Sequence, residues 1–214
     1  MRSIRLFMTG AAAVVALAVA APASAQSSTY AAGLGGVTFG TEGSAGVGAR
    51  LGVPLGGSGT FVIFEIGRLF NVMPQEIADV VELVEDLVEL ETGENVSLDV
   101  SIPATYGFAG LRWSPPTDGR RLAPFVEGGF GFGRMSVSIG EAVVGGVNVR
   151  PIIRREIGDE TNAEALLALA GGVRVPFSPQ TSLDLGYRYT RIFTDDPVVN
   201  TSMIYGAINY SFGR

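Results

Sequence analysis

The side chains that could carry chemistry in this 214-residue chain are carboxylates and arginines, because the sequence contains no histidine and no cysteine. Without histidine it lacks the usual proton shuttle of neutral pH and the commonest zinc ligand. Without cysteine it lacks thiolate nucleophiles, thiolate metal ligands and disulfides. We therefore expect no cofactor and no metal site.

Six charged residues stand singly between glycine, aliphatic or aromatic neighbours, a setting that predicts burial and pairing. They are Glu65, Arg112, Glu127, Arg174, Asp184 and Arg188. A carboxylate pair such as Glu65 and Glu127 could do acid–base work. Arginines beside them would hold both carboxylates ionised, which is the wrong state for a general acid. The sequence predicts a salt-bridge network; a proton or ion path is the alternative, and we expect no catalytic residue.

The elements that must position these residues are stretches with a period of two, which is typical of β-strands. In the stretch from 182 to 192, for example, Leu183 and Leu185 alternate with Asp184 and Gly186. Eight such stretches lie at 30–39, 46–53, 60–70, 102–113, 124–135, 165–175, 182–192 and 202–212.

One face of these stretches is apolar and aromatic, and the other is mostly glycine and alanine with single charges. A face of small residues is too bare for a solvated surface but fits the interior of a narrow closed barrel, with the apolar face toward lipid. A soluble barrel with large apolar side chains inside is the structural alternative. Aromatic residues near the strand ends suit interfacial girdles, and the ordinary preference of aromatic residues for strands is the alternative explanation. The residues are Phe70, Tyr106, Trp113, Phe125, Tyr205, Tyr210 and Phe212.

The connections between the stretches differ in length. The second, fourth and sixth connections are turn-like, whereas the third and fifth are long and cover 71–101 and 136–164. Membrane barrels with an even number of strands keep both termini and the short turns on one side. We therefore expect periplasmic termini and two long extracellular loops.

The first long loop predicts an amphipathic helix of about 18 residues that Pro74 opens and Gly93 closes. The loop holds nine acids and no base. The predicted apolar stripe should dock on the barrel rim or on the other long loop; the alternatives are a partner or membrane contact, or divalent ions on the acidic face. The stripe consists of Ile77, Val80, Val81, Val84, Leu87 and Val88.

Charges in the two long loops predict a contact surface between them, with lipopolysaccharide phosphates as the alternative target of the arginines. The acidic members are Glu82, Glu85, Asp86 and Glu89, and the basic members are Arg150, Arg154 and Arg155.

Residues 1–25 have the pattern of a cleaved secretory signal peptide: two arginines, an apolar run and a small-residue cleavage site ending at Ala25. The barrel domain is then 26–214. Losing Arg2 and Arg5 changes the formal charge from −6 to −8, which argues against nucleic acid as a partner. No later apolar run is long enough for a transmembrane helix.

Three segments carry a family resemblance. Residues 124–131 read PFVEGGFG, 183–189 read LDLGYRY and 205–212 read YGAINYSF. They resemble strands of small eight-stranded outer-membrane barrels of the OmpA and opacity-protein type. The resemblance implies a closing strand that the barrel-assembly machinery reads. Enzymes that resemble these barrels use a histidine in catalysis, and this chain has no histidine. The resemblance therefore implies no catalytic residue here.

The sequence thus predicts an all-β fold: an eight-stranded antiparallel up-and-down transmembrane β-barrel with one short helix in an extracellular loop. The expected location is the outer membrane, with lipid and lipopolysaccharide as surroundings. The expected function is non-enzymatic, either envelope integrity or surface interaction through the two long loops. The alternatives are a narrow porin-like channel for ions or small solutes and a soluble periplasmic ligand-binding barrel.

Overall fold

The computed structural model describes residues 28–39, 43–56, 59–73, 75–93, 96–115, 122–136, 138–144, 147–148, 163–194 and 198–212. Within them, no helix combines the length and the apolar character needed to cross a bilayer. The helix of the described part is α1 (Gln75–Thr92). The strands are β1 (Thr29–Phe39), β2 (Ser44–Pro54), β3 (Thr60–Leu69), β4 (Val96–Ser101), β5 (Ala104–Trp113), β6 (Ala123–Met135), β7 (Ser138–Val144), β8 (Val147–Asn148), β9 (Ala163–Pro176), β10 (Thr181–Phe193) and β11 (Val199–Phe212).

Eight strands close into one antiparallel barrel in the ring order β1, β11, β10, β9, β6, β5, β3, β2. The ladder between the first and last strands closes the ring, and it pairs Thr29 with Phe212 and Phe39 with Ser202. Closure removes the unpaired edges that an open sheet would leave. The eight predicted stretches are confirmed, and their ends agree with the observed strands to within three residues.

The outer surface of the barrel is apolar, as predicted. Ile66 and Phe130 are 68% and 72% exposed. Such a continuous apolar band is unfavourable in water and matches hydrocarbon, which counts against the soluble alternative. The band also includes Val37, Val47, Leu111, Val126, Phe132, Leu169, Leu185, Ile204 and Ile208, with Phe70, Trp113, Tyr210 and Phe212 near the strand ends.

The interior differs from the prediction, because three aromatic residues expected in the girdle are buried inside. Tyr106, Phe125 and Tyr205 alternate with outward residues and are at most 6% exposed. Inward glycines make the room for them. A Cβ atom on Gly186 would lie 2.9 Å from the Tyr205 ring, and one on Gly67 would lie 2.5 Å from the Tyr106 hydroxyl. The small-residue face and the inward rings are therefore complementary.

The two ends of the barrel are different. Short connections follow β2, β5 and β9, at the end that also holds the first residue of β1 and the last of β11. Gly56 and Gly59 allow the first of these turns, because their φ angles of 74° and 76° are unfavourable for other residues. Both long connections leave the opposite end, which agrees with the predicted parity. We call these the turn end and the loop end.

A small three-stranded sheet at the loop end was not predicted. It has the order β4, β7, β8, so it joins the first long connection to the second. The ladder pairs Val96 with Val144 and shifts register between Leu98 and Val100. Backbone hydrogen bonds thus link the two long loops. The arginines predicted to link them, Arg150, Arg154 and Arg155, lie outside the described residues.

The predicted helix is confirmed as α1, which begins at Gln75 and ends at Thr92. Gly93 ends it as expected, with a φ of 68° and a backbone N–H that donates to the Glu89 carbonyl at 2.8 Å. The expected opening residue, Pro74, lies outside the described residues.

A methyl group at Gly129 tests the close approach of the strands. Its Cβ would lie 2.6 Å from the Ala109 carbonyl oxygen and 2.8 Å from the Phe108 ring. We expect Gly129→Ala to lower the free energy of unfolding by about 1–3 kcal/mol through overpacking. Gly33→Ala is the control, since nothing lies within 4 Å of its Cβ position. Urea unfolding in detergent micelles, followed by the mobility of unboiled protein on gels, measures both; equal effects would contradict the prediction.

Candidate functional site

Three acid–base pairs lie on the inner face of the barrel, with the partners of each pair directly opposite on neighbouring strands. Residues at such positions point to the same side of a sheet and interact most closely. The pairs are Arg50 on β2 with Glu65 on β3, Arg112 on β5 with Glu127 on β6, and Arg174 on β9 with Asp184 on β10. Together with Arg188 on β10, these seven residues are the lumen network.

Glu65 joins strands from both sides of the ring. The Arg50 Nε and Nη2 atoms donate to its Oε2 at 2.9 and 2.7 Å. Arg188 reaches it from β10, diametrically across the barrel, through Nη2 to Oε2 at 2.8 Å and through Nη1 to Oε1. The Tyr106 hydroxyl donates to Oε1 at 2.8 Å. Both oxygens of Glu65 are therefore occupied by several donors.

Glu127 is the second shared acceptor. Arg50 donates to it through Nη2 to Oε1 at 2.7 Å and through Nη1 to Oε2 at 2.8 Å. Longer contacts come from Arg112 at 3.4 Å and from Arg188 at 3.3 Å. The Tyr205 hydroxyl donates to Oε1 at 3.3 Å. Arg50 thus bridges the two glutamates and couples β2 to β3 and β6.

Asp184 receives two arginines near the turn end. Arg174 forms a bidentate pair with it: Nε donates to Oδ1 at 2.9 Å, and Nη2 donates to Oδ2 at 3.4 Å. The Arg112 Nη1 atom lies 2.7 Å from Oδ2. Because Arg112 also contacts Glu127, it connects this pair to the rest of the lumen network.

The inward rings stack on the guanidinium groups of the lumen network. The Arg112 guanidinium carbon lies 3.8 Å from the centroid of the Phe125 ring. Arg188 lies 5.0 Å from the Tyr205 centroid and 5.4 Å from the Phe108 centroid. An arginine over an aromatic face is stabilised electrostatically, most strongly where water is excluded. The rings therefore hold the cations in place as well as filling space.

The lumen network is shielded from solvent. Its side chains are 0–3% exposed, except for Arg174 at 20%. Every carboxylate oxygen accepts from at least one arginine, so the three acids serve as hydrogen-bond acceptors in this arrangement. Among the described residues, no three acidic, histidine or cysteine side chains are grouped so that they could hold a metal ion.

Packed side chains close both ends of the lumen. Tyr30 and Phe61 meet edge to face at the turn end, with ring centroids 5.5 Å apart. The loop end is filled by apolar side chains that are at most 4% exposed. These are Leu69, Leu166, Ile192, Val199 and Met203. The barrel interior is thus a filled core.

The structure brings all six singled-out charged residues into the lumen network, together with Arg50, which sequence reasoning missed. It also missed Tyr106 and Tyr205, whose hydroxyls donate to the carboxylates of the network. A signal for Arg50 was present, because it shares the small-residue face of its strand with Gly48 and Gly52. The two tyrosines gave no comparable signal, because aromatic residues near strand ends are also typical of the outward-facing girdle.

Of the predicted contact surface between the loops, the structure describes the acidic members on α1. Glu82, Asp86 and Glu89 are exposed, and Glu85 is half-buried. Leu87, which we expected to dock with the apolar stripe, is 52% exposed, so that expectation was wrong for this residue. The helix lies beside β4, the strand that follows it in the first long connection.

Comparison with known proteins gives one family and a set of similar folds. The model of the outer membrane protein beta-barrel domain family matches residues 9–212. Neisserial surface protein A is 13% identical, with a TM-score of 0.55 over 86% of this chain and 96% of that chain. The N-terminal β-barrel domain of Pseudomonas aeruginosa OprF is 12% identical, with a TM-score of 0.50 over 87% and 100%. No curated protein matches the sequence. These low identities show likeness of fold alone.

Removing one carboxylate from the lumen network tests its part in stability. In Glu65→Gln, Arg50 and Arg188 lose their shared counter-ion inside the barrel. We expect a loss of about 3–5 kcal/mol in the free energy of unfolding, as for other buried pairs that lose one partner. Arg174→Gln is the comparison, because its partly exposed side chain should cost less. The measurement is urea unfolding in lipid vesicles; a Glu65→Gln loss no larger than that of Arg174→Gln would refute the prediction.

Proposed function

Because the chain belongs to the outer membrane protein beta-barrel domain family, and is therefore an integral outer-membrane protein, we propose that it acts without catalysis through the surface at its loop end. There it supports the integrity of the envelope or contacts molecules outside the cell. The observation that carries this proposal is the filled lumen, which leaves the loop end as the elaborated part of the molecule.

The filled lumen argues against free diffusion through the barrel. Arg188 spans it to reach Glu65 on the opposite strand, and apolar side chains close the loop end. An eight-stranded barrel has an interior just wide enough for its own side chains. A solute could cross only if the ion pairs of the lumen network came apart. That separation would leave several buried charges without partners, which is energetically costly.

The chemistry of the interior supports a non-catalytic role. The three carboxylates of the lumen network are held by arginines at each oxygen. The sequence has no histidine or cysteine that could act as a nucleophile or a proton shuttle. General acid catalysis needs a carboxyl group with a proton to give, and this arrangement stabilises the opposite state.

The surface of α1 supports contact with a partner. Leu83, Leu87 and Leu90 follow the i, i+4, i+7 spacing of one helix face and are 59%, 52% and 82% exposed. The acids beside them make an acidic rim around an apolar strip, which is complementary to a basic rim around an apolar centre. The exposed acids are Asp79, Glu82, Asp86 and Glu89.

The topology supports an orientation with the turn end in the periplasm. The first and last residues of the barrel and its short turns share that end, as in other membrane barrels with an even number of strands. In this orientation α1 and β4 face the outside of the cell. The outer rim would then lie among lipopolysaccharide, and β11, which closes the ring, would be the strand that the assembly machinery reads.

A narrow channel is the second candidate, and one observation favours it. The lumen network holds four arginines against three carboxylates, so a path opened through it would carry net positive charge. Such a path would prefer anions.

Single-cysteine labelling tests the orientation, since the chain has no native cysteine. Leu90→Cys places a thiol at an exposed position of α1, and Gln180→Cys places one in an exposed turn at the other end. On intact cells we expect a membrane-impermeant maleimide to label Leu90→Cys alone. Gln180→Cys should react only after the outer membrane is permeabilised, and the reverse pattern would contradict the proposal.

Planar-bilayer recording separates the two candidate functions. With a closed lumen, the folded protein should give no steady conductance. If steady openings occur, and if Glu127→Gln or Arg188→Gln alters their size or ion preference, the channel is the better account. Glu82→Gln on α1 is the control for a charge change outside the barrel.

A further inference from the structure

The arginines of the lumen network outnumber the acceptors available to them. Arg50 and Arg174 each use the side edge formed by Nε and Nη2 to hold a carboxylate. The same edge of Arg112 has no protein partner: its Nε and Nη2 atoms are buried and have no hydrogen-bond partner within the described structure. The side chain of Arg112 is fully buried.

The carboxylates of the network do not reach that edge, because Arg112 contacts Glu127 and Asp184 through Nη1. Both oxygens of Glu65, Glu127 and Asp184 already accept from arginines. Arginine does not deprotonate in proteins, so it cannot remove the excess charge itself. The described residues thus supply no acceptor for this edge, and an acceptor from solution would satisfy it.

Charge decides what kind of acceptor this is. Four arginines and three carboxylates leave the lumen network with one positive charge in excess. An uncompensated charge away from water costs several kcal/mol. A water molecule could accept the two N–H groups but would leave the charge in place. A monovalent anion would do both.

We propose that the barrel holds one small monovalent anion, such as a halide ion, on the Nε and Nη2 edge of Arg112. The Phe125 ring covers one face of this guanidinium at 3.8 Å, and Nη1 is engaged by Asp184. The Nε and Nη2 edge is thus the part of this guanidinium that remains for an anion to bind. The Nε atom of Arg188, also buried and without a partner, adds to the positive field in the lumen. The site balances the charge of the seven-residue lumen network and is independent of what the loop end contacts.

Bromide is the probe, because it replaces chloride and scatters anomalously. In crystals grown with bromide as the halide, we expect an anomalous peak within hydrogen-bond distance of Arg112 Nε and Nη2. A water at that position without an anomalous signal would overturn the proposal. This measurement uses the unaltered protein, so it does not depend on the folding of any variant.

A solution experiment tests the same site. The protein is refolded in micelles with gluconate as the only anion, and bromide is added at constant ionic strength. We expect the urea midpoint of the wild type to rise and then saturate, as for a ligand that binds only the folded state. Arg112→Gln should remove this response, and it should fold, because the acidic partners of Arg112 keep Arg50 and Arg174 as donors.

Arg68→Gln is the matched control, since it removes an exposed arginine on the outer face. Its bromide response should equal that of the wild type. An equal response in Arg112→Gln and Arg68→Gln would show a general salt effect and would refute the site.

Discussion

The constraint on which the rest of this structure depends is the narrow bore of an eight-stranded ring. Hydrocarbon offers no partner to a backbone amide, so the strands must close on themselves. Once eight of them close, the interior has room for side chains and little else. Each inward position must then hold a group that fits its neighbours in both size and charge.

Glycine and arginine meet this constraint together. Inward glycines such as Gly52 and Gly186 leave the volume that Tyr30 and Tyr205 occupy. Arginine suits the same space because its flat guanidinium can stack on a ring and grip a carboxylate at its edge. Arg112 shows both contacts, with Phe125 beneath it and Asp184 at its tip. The interior is therefore an ionic core held between aromatic rings.

The barrel that holds this core and the loop end are built differently. The barrel is stabilised from within and offers lipid a plain apolar surface. The loop end carries the sheet of β4, β7 and β8 and the acidic helix α1, whose leucines remain exposed.

The sequence by itself determined the strands, the inner and outer faces of most of them, and α1 with its end at Gly93, because these follow from local periods and turn chemistry. It also indicated buried charged residues, since a single charge on a face of small residues points into the interior of a narrow barrel. Only the tertiary structure decided who pairs with whom. Arg50 bridges two glutamates and Arg188 crosses to Glu65 because ring closure brings distant strands together, and no local pattern encodes that distance. The same holds for Tyr106 and Tyr205, which point inward only because glycines on neighbouring strands leave them room.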